Sequence, residues 1–121
     1  MLRKVIISYV AMAVVIMAVA VVSAHMTLNE SVPHEGETLI SSPHRIELRF
    51  SQEPDPVVSN LTLKGISGLV EIGQTKVIAA ERSIVADLPV LDAGKYTVNW
   101  RAAGDDGHVQ RGEFSFVIQA N

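Results

Sequence analysis

No cysteine occurs anywhere in the 121 residues. That absence excludes thiolate zinc sites, blue-copper ligation, thiol catalysis and disulfides. A small domain without disulfides must be held by its own core, or by a core plus a metal. A metal site has only His, Asp, Glu, Met and a terminal amine to draw on. Aromatics are scarce at 5%, with one Trp. A basic stripe is also missing. The net charge is −3, which argues against nucleic acid as a partner. Beyond residue 24 no stretch has helical periodicity, and there is no internal repeat, low-complexity tract or linker.

What is present begins with a leader. Arg3 and Lys4 precede an uncharged apolar run from Val5 to Val22. Val22, Ser23 and Ala24 then suit signal peptidase, so residues 1–24 read as a cleavable Sec-type signal peptide. The alternative is an uncleaved anchor, because the run reaches the lower limit for spanning a bilayer. Cleavage leaves 97 of the 121 residues, one small domain over 25–121. It removes two cations and no acid, which takes the net charge from −3 to −5. Most of the mean hydropathy of +0.27 belongs to the leader and does not describe the domain.

The domain alternates short apolar-patterned runs with turn signals, which predicts an all-β fold. In Arg45–Phe50, Ile46, Leu48 and Phe50 share one face and Arg45, Glu47 and Arg49 the other. Residues 61–63, 84–88, 96–100 and 114–118 repeat the pattern, and weaker strands are predicted near 26–29, 70–72 and 77–79. Turns fall at Pro33-His34-Glu35-Gly36, Ser42-Pro43, Pro54-Asp55-Pro56 and Gly65–Gly68. Asp92-Ala93-Gly94-Lys95-Tyr96 has the layout of a tyrosine corner, in which the phenol bonds back to upstream backbone. Tyr96 and Trp100 are therefore assigned to the core. The predicted fold is an immunoglobulin-like Greek-key β-sandwich of seven to eight strands.

His25 directly follows the cleavage site. After processing it offers an α-amine and an imidazole in one residue, which close a small chelate ring on a metal. An internal histidine cannot do this, because its backbone nitrogen is an amide. Between two strong strand patterns lies Gly104-Asp105-Asp106-Gly107-His108, a predicted loop at one end of the sandwich. Asp106 and His108 are i, i+2 and project to one side if the backbone is extended. If the N-terminus lies at the same end, His25, Asp106 and His108 supply three nitrogens and one oxygen. That donor set suits tetragonal Cu(II), which also heads the divalent affinity order. Zinc can use the same atoms but prefers a tetrahedron. His34 and His44 are read as solvated, Asp105 as adding negative potential near the site or simply exposed, and Arg49 with Glu47 as an outer face.

These residues resemble those of the CopC family of periplasmic copper-binding proteins. The resemblance covers nearly all of 25–121. It rests on His25 after the cleavage site, the Pro33–Gly36 turn and Ile46-Glu47-Leu48-Arg49-Phe50-Ser51. It continues through residues 93–101 (Ala-Gly-Lys-Tyr-Thr-Val-Asn-Trp-Arg), Asp106-Gly107-His108 and Gly112-Glu113-Phe114-Ser115-Phe116. It implies a β-sandwich that binds Cu(II) through His25, Asp106 and His108. It implies a role in copper homeostasis and resistance, beside a separate inner-membrane copper transporter. Two departures stand out. Met26 is the only methionine after the leader, so the Met-rich Cu(I) loop of some members is absent. Gln52 stands where the family often has a Glu near copper, with Glu53 next to it, and neither is assigned as a ligand.

The resulting expectation is a non-enzymatic periplasmic Cu(II) carrier or buffer, acting as a monomer. Imidazoles and an amine must shed protons to bind metal, so copper should leave as pH falls through about 6. One alternative is a copper-dependent oxidase with an N-terminal His site, although a lone core Trp provides no aromatic substrate platform. The other is a metal-free immunoglobulin-like interaction domain.

Overall fold

The computed structural model describes residues 25–120, and the expected signal peptide lies outside the described residues. Among the described residues, nine strands form two sheets. They are β1 (Leu28–Val32), β2 (Thr38–Leu39), β3 (Arg45–Phe50), β4 (Asn60–Gly65), β5 (Gly68–Val70), β6 (Lys76–Ile78), β7 (Ser83–Asp87), β8 (Gly94–Ala103) and β9 (Val109–Ile118). One sheet has the order β1-β3-β7-β6 and the other β2-β9-β8-β4-β5. These are the ABED and GFC arrangements of an immunoglobulin fold, with β5 as an added edge strand and β2 as a short strand beside G.

The alternation in β3 does what the sequence requires. Ile46, Leu48 and Phe50 are buried and Arg45 and Arg49 exposed. They meet Leu61 and Leu63 of β4, Ile84 and Ala86 of β7, Val98 of β8, and Phe114 and Phe116 of β9 in one core. Each fully buried large side chain contributes roughly 1.5–3 kcal/mol. Tyr96 stacks on Phe116 at 5.6 Å, and its hydroxyl donates to the Asp92 carbonyl at 2.7 Å. The tyrosine corner is therefore present.

The ninth strand beyond the expected count is β2. Its two residues run parallel to β9, with Thr38 opposite Val117 and Leu39 opposite Ile118. Two residues carry no periodicity, so backbone pairing alone makes this strand. The Val117 N–H donates to the Glu37 carbonyl and the Gln119 N–H to that of Leu39. β8 and β9 also run longer than their apolar patterns, into a hairpin that closes at Ala103 opposite Val109.

Candidate metal centre

The site forms where two chain segments reach the same end of the sandwich. β1 runs antiparallel to β3 with Leu28 opposite Phe50. The residues just before β1 therefore lie beside those just after β3. Thr27 and Ser51 lock this junction. The Thr27 N–H donates to Ser51 Oγ at 2.9 Å, and the Ser51 N–H returns to the Thr27 carbonyl at 2.9 Å. Met26 is buried in the core at 3% exposure, which anchors the chain one residue after His25.

The segment after β3 then crosses to the second sheet and touches the β8–β9 hairpin. The Asp55 N–H donates to the Ala103 carbonyl at 2.8 Å. Gln52 Oε1 accepts from the Asp105 N–H at 3.1 Å. One strap thus holds both the His25 segment and the loop that carries Asp106 and His108. Gly104 allows this close approach. A Cβ there would overlap Gln52 Oε1 and press on Met26.

The loop itself is a tight turn. The Gly107 N–H donates to the Gly104 carbonyl at 3.1 Å, and Gly107 adopts φ +74°, which favours glycine. Asp106 Oδ1 accepts from the His108 N–H at 3.0 Å. That Asx bond turns both side chains to one side. The extended backbone expected from the i, i+2 spacing is not what brings them together. The convergence holds, but a turn and a side-chain-to-backbone bond produce it.

Asp106 Oδ2 is left facing both imidazoles. His25 Nδ1 lies 3.1 Å from it and His108 Nδ1 3.2 Å. The two rings sit 5.5 Å apart at a tilt of 47°. The carboxylate is the better shielded member, with its side chain 20% exposed against 62% for His25 and 70% for His108. The Asp106 carboxyl is held below its ordinary 3.8. The His108 backbone N–H is the main cause. Desolvation opposes it, and the two imidazoles add to the lowering.

His25, Asp106 and His108 place ligand atoms within 4.8 Å of one another. Ligands on opposite sides of an ion with bonds near 2 Å stand about 4 Å apart. A small inward shift therefore suffices, and two imidazoles with one carboxylate suit a borderline divalent ion. With residues 1–24 attached, the His25 backbone nitrogen is an amide. Processing before His25 would add a fourth donor.

The other histidines stay apart from this cluster, with His34 and His44 both exposed. Glu53 is exposed as well, and the Asp105 side chain faces solvent. Sequence reasoning misses the support. Gln52 reaches the loop across 53 residues of chain, Met26 packs beneath both segments, and local spacing cannot reveal such contacts. Only the Phe50-Ser51-Gln52 stretch, part of the family resemblance, hints at a role. Trp100, expected in the core, is half-buried and packs against the core from its edge, its indole edge-on to Phe50 at 5.3 Å.

The CopC domain family matches residues 28–119. Copper resistance protein C of Escherichia coli is 29% identical over 105 residues, covering 79% of this chain and 82% of the relative. The crystal structure of CopC from Methylosinus trichosporium OB3b superposes with a TM-score of 0.73 at 29% identity, over 78% of this chain and 94% of that one. PcoC, a methionine-rich copper resistance protein from Escherichia coli, superposes at 0.70 and 29% identity, over 79% and 100%. The family match begins three residues after His25. His25 therefore enters the site on geometry.

Proposed function

The chain belongs to the CopC family, and on that premise we propose that it binds Cu(II) in the periplasm and serves copper resistance and homeostasis as a carrier or buffer. The ligands are His25, Asp106 and His108, with the His25 α-amine added once the leader is removed. The observation that carries this reading is the meeting of both Nδ1 atoms on one Asp106 oxygen. His25 and Asp106 lie 81 positions apart in the chain, and the fold pins both segments through one strap. A monomer exchanging copper with a separate inner-membrane transporter fits the same reading.

The donors support Cu(II) as the oxidation state. Nitrogen and carboxylate ligands favour Cu(II), whereas thioethers favour Cu(I). Met26 is buried in the core, and no other methionine falls within residues 25–121. A thioether Cu(I) site of the methionine-rich kind is therefore not part of the reading. Binding rather than turnover is favoured by Trp100, which packs against Phe50 instead of standing out as a substrate platform.

The test is a competition titration of Cu(II) against a chelator, with His25→Ala and His108→Ala beside the wild type. Each variant should lose affinity by orders of magnitude while keeping the fold. Near-wild-type affinity in either variant removes that residue from the site.

A further inference from the structure

The outward face of the five-stranded sheet has a charge unlike the rest of the domain. Register places its residues in rungs. Arg101 stands opposite Arg111, Asn99 opposite Glu113, and Lys64 beside Thr97 and Ser115, with Lys95 after them. Four cations thus share a face with one acid, in a domain whose residues 25–121 carry a net −5. All four are exposed. Among the described residues none of them has an ion pair. On the other sheet, by contrast, Arg49 is paired with Glu30 at 3.1 Å and Glu47 at 3.7 Å.

Two arginines directly opposite in a hairpin repel each other, and this costs stability. The Arg101 Nε donates to the Val58 carbonyl at 3.0 Å, which fixes its stem and leaves its other donors open. Arg111 has no hydrogen-bond or ion-pair partner among the described residues. Between the cations the surface dips. Two adjoining depressions of about 220 and 670 Å³ share Asn99. Their lining mixes polar side chains with Trp100 in one and Ile66 in the other, and on the floor Thr97 and Ser115 are bonded to each other at 3.1 Å.

We infer that this trough docks an acidic, extended segment of a partner protein. Its carboxylates meet Arg101 and Arg111 at one end and Lys64 and Lys95 at the other, and its backbone lies over the Thr and Asn floor. From the Arg101 rung to the Thr97 rung is four residues, about 13 Å of strand. Acidic residues four apart in an extended segment span the same length. Charge complementarity of this kind sets on-rate and register. A flat anionic bilayer fits less well, because the face is concave and the rest of the domain is acidic. His108 lies three residues before Arg111, about 10 Å along the strand. A docked partner would therefore sit beside the copper loop, a consequence that rests on the copper reading above.

The experiment uses the exported, processed protein and a short labelled peptide of alternating Glu and Ser. Binding should shift backbone amide resonances in β4, β8 and β9, and raised salt should weaken it. The triple variant Lys64→Glu, Lys95→Glu, Arg111→Glu should lose peptide affinity by at least about tenfold. None of these three side chains makes an ion pair, so the fold should persist. A triple Gln variant, with an intermediate loss, guards against an indirect effect. Absence of peptide binding, equal binding by the variants, or shifts confined to another surface overturns the inference. Capture of phosphatidylglycerol vesicles through this face in place of the peptide overturns it too. Cu(II) titration of the same samples keeps the two ideas separate. Wild type that binds peptide without copper sinks only the carrier reading, and copper without peptide sinks only the docking face.

Discussion

Asp106 divides two tasks between two oxygens: Oδ1 closes the turn on the His108 N–H, and Oδ2 faces the imidazoles. Substitution separates them. Asp106→Asn keeps an acceptor for the turn but loses the charge. It should bind Cu(II) roughly tenfold or more weakly, with little change in the His108 amide resonance. Asp106→Ala should disturb both. Acid titration reads the same group. Its folded value is lowered, so its contribution is complete above the ordinary carboxylate value. That contribution is lost only as pH falls through the folded one. The His108 amide resonance should therefore move with a midpoint below 3.8, and a midpoint at or above 3.8 contradicts the bond. The three proposed ligand residues are legible in the sequence, because a histidine after an expected processing site and an Asp-x-His loop carry chemistry in their types and spacing. The turn that joins Asp106 to His108 is not, since the same spacing also fits extended backbone. Gln52 stands out only through the family resemblance, and its support of the loop is hidden for a different reason. Its contact with Asp105 spans 53 residues, and nothing local to either residue announces it.

At the scale of elements, the β8–β9 hairpin and the corner before it determine where the loop of Asp106 and His108 stands. Gly112 faces the Trp100 ring, and a Cβ there would come within 2.5 Å of the indole. Gly112→Ala should cost about 1–3 kcal/mol through overpacking. It should also shift the emission of the single tryptophan, and an unchanged spectrum and stability would contradict this packing. Tyr96→Phe removes the bond to the Asp92 carbonyl and should cost about 1 kcal/mol in denaturant unfolding. Burial, then the nearby Asp92 charge, raises the phenol above its ordinary 10.0, and the Asp92 backbone bond opposes them. A neutral phenol therefore stabilises the fold fully below that value, and the contribution is lost as pH rises through the raised one. A chain beginning at His25 has Tyr96 as its sole tyrosine. Phenolate absorbance should thus report a single delayed titration. Strands with strict alternation, such as β3, are readable from residue order alone. β2 is not, because two residues have no period. The ends of β8 and β9 are not either. Ala102, Ala103 and Gly112 blur the apolar pattern, while the hairpin ladder carries the pairing past it.

For the whole molecule, metal and fold should be linked. A ligand held only by the folded chain stabilises it by about 2.7 kcal/mol at a free concentration about a hundredfold above its Kd. For a domain of this size that corresponds to a rise in Tm on the order of 10 °C. His25→Ala should abolish most of the rise. The sandwich class follows from alternating runs and turn signals spread along the chain. The meeting of its first residues with the hairpin loop follows only from how the sheets pair. The measurement that bears most directly on the central claim uses protein exported by a native-type host. Its N-terminal residue is determined by mass spectrometry, and the paramagnetic resonance spectrum is recorded after adding one equivalent of Cu(II). The expected result is a chain beginning at His25, with one tetragonal copper whose hyperfine pattern shows several nitrogen ligands. A chain that keeps residues 1–24, or a correctly processed chain whose copper spectrum is that of the free ion, would contradict it.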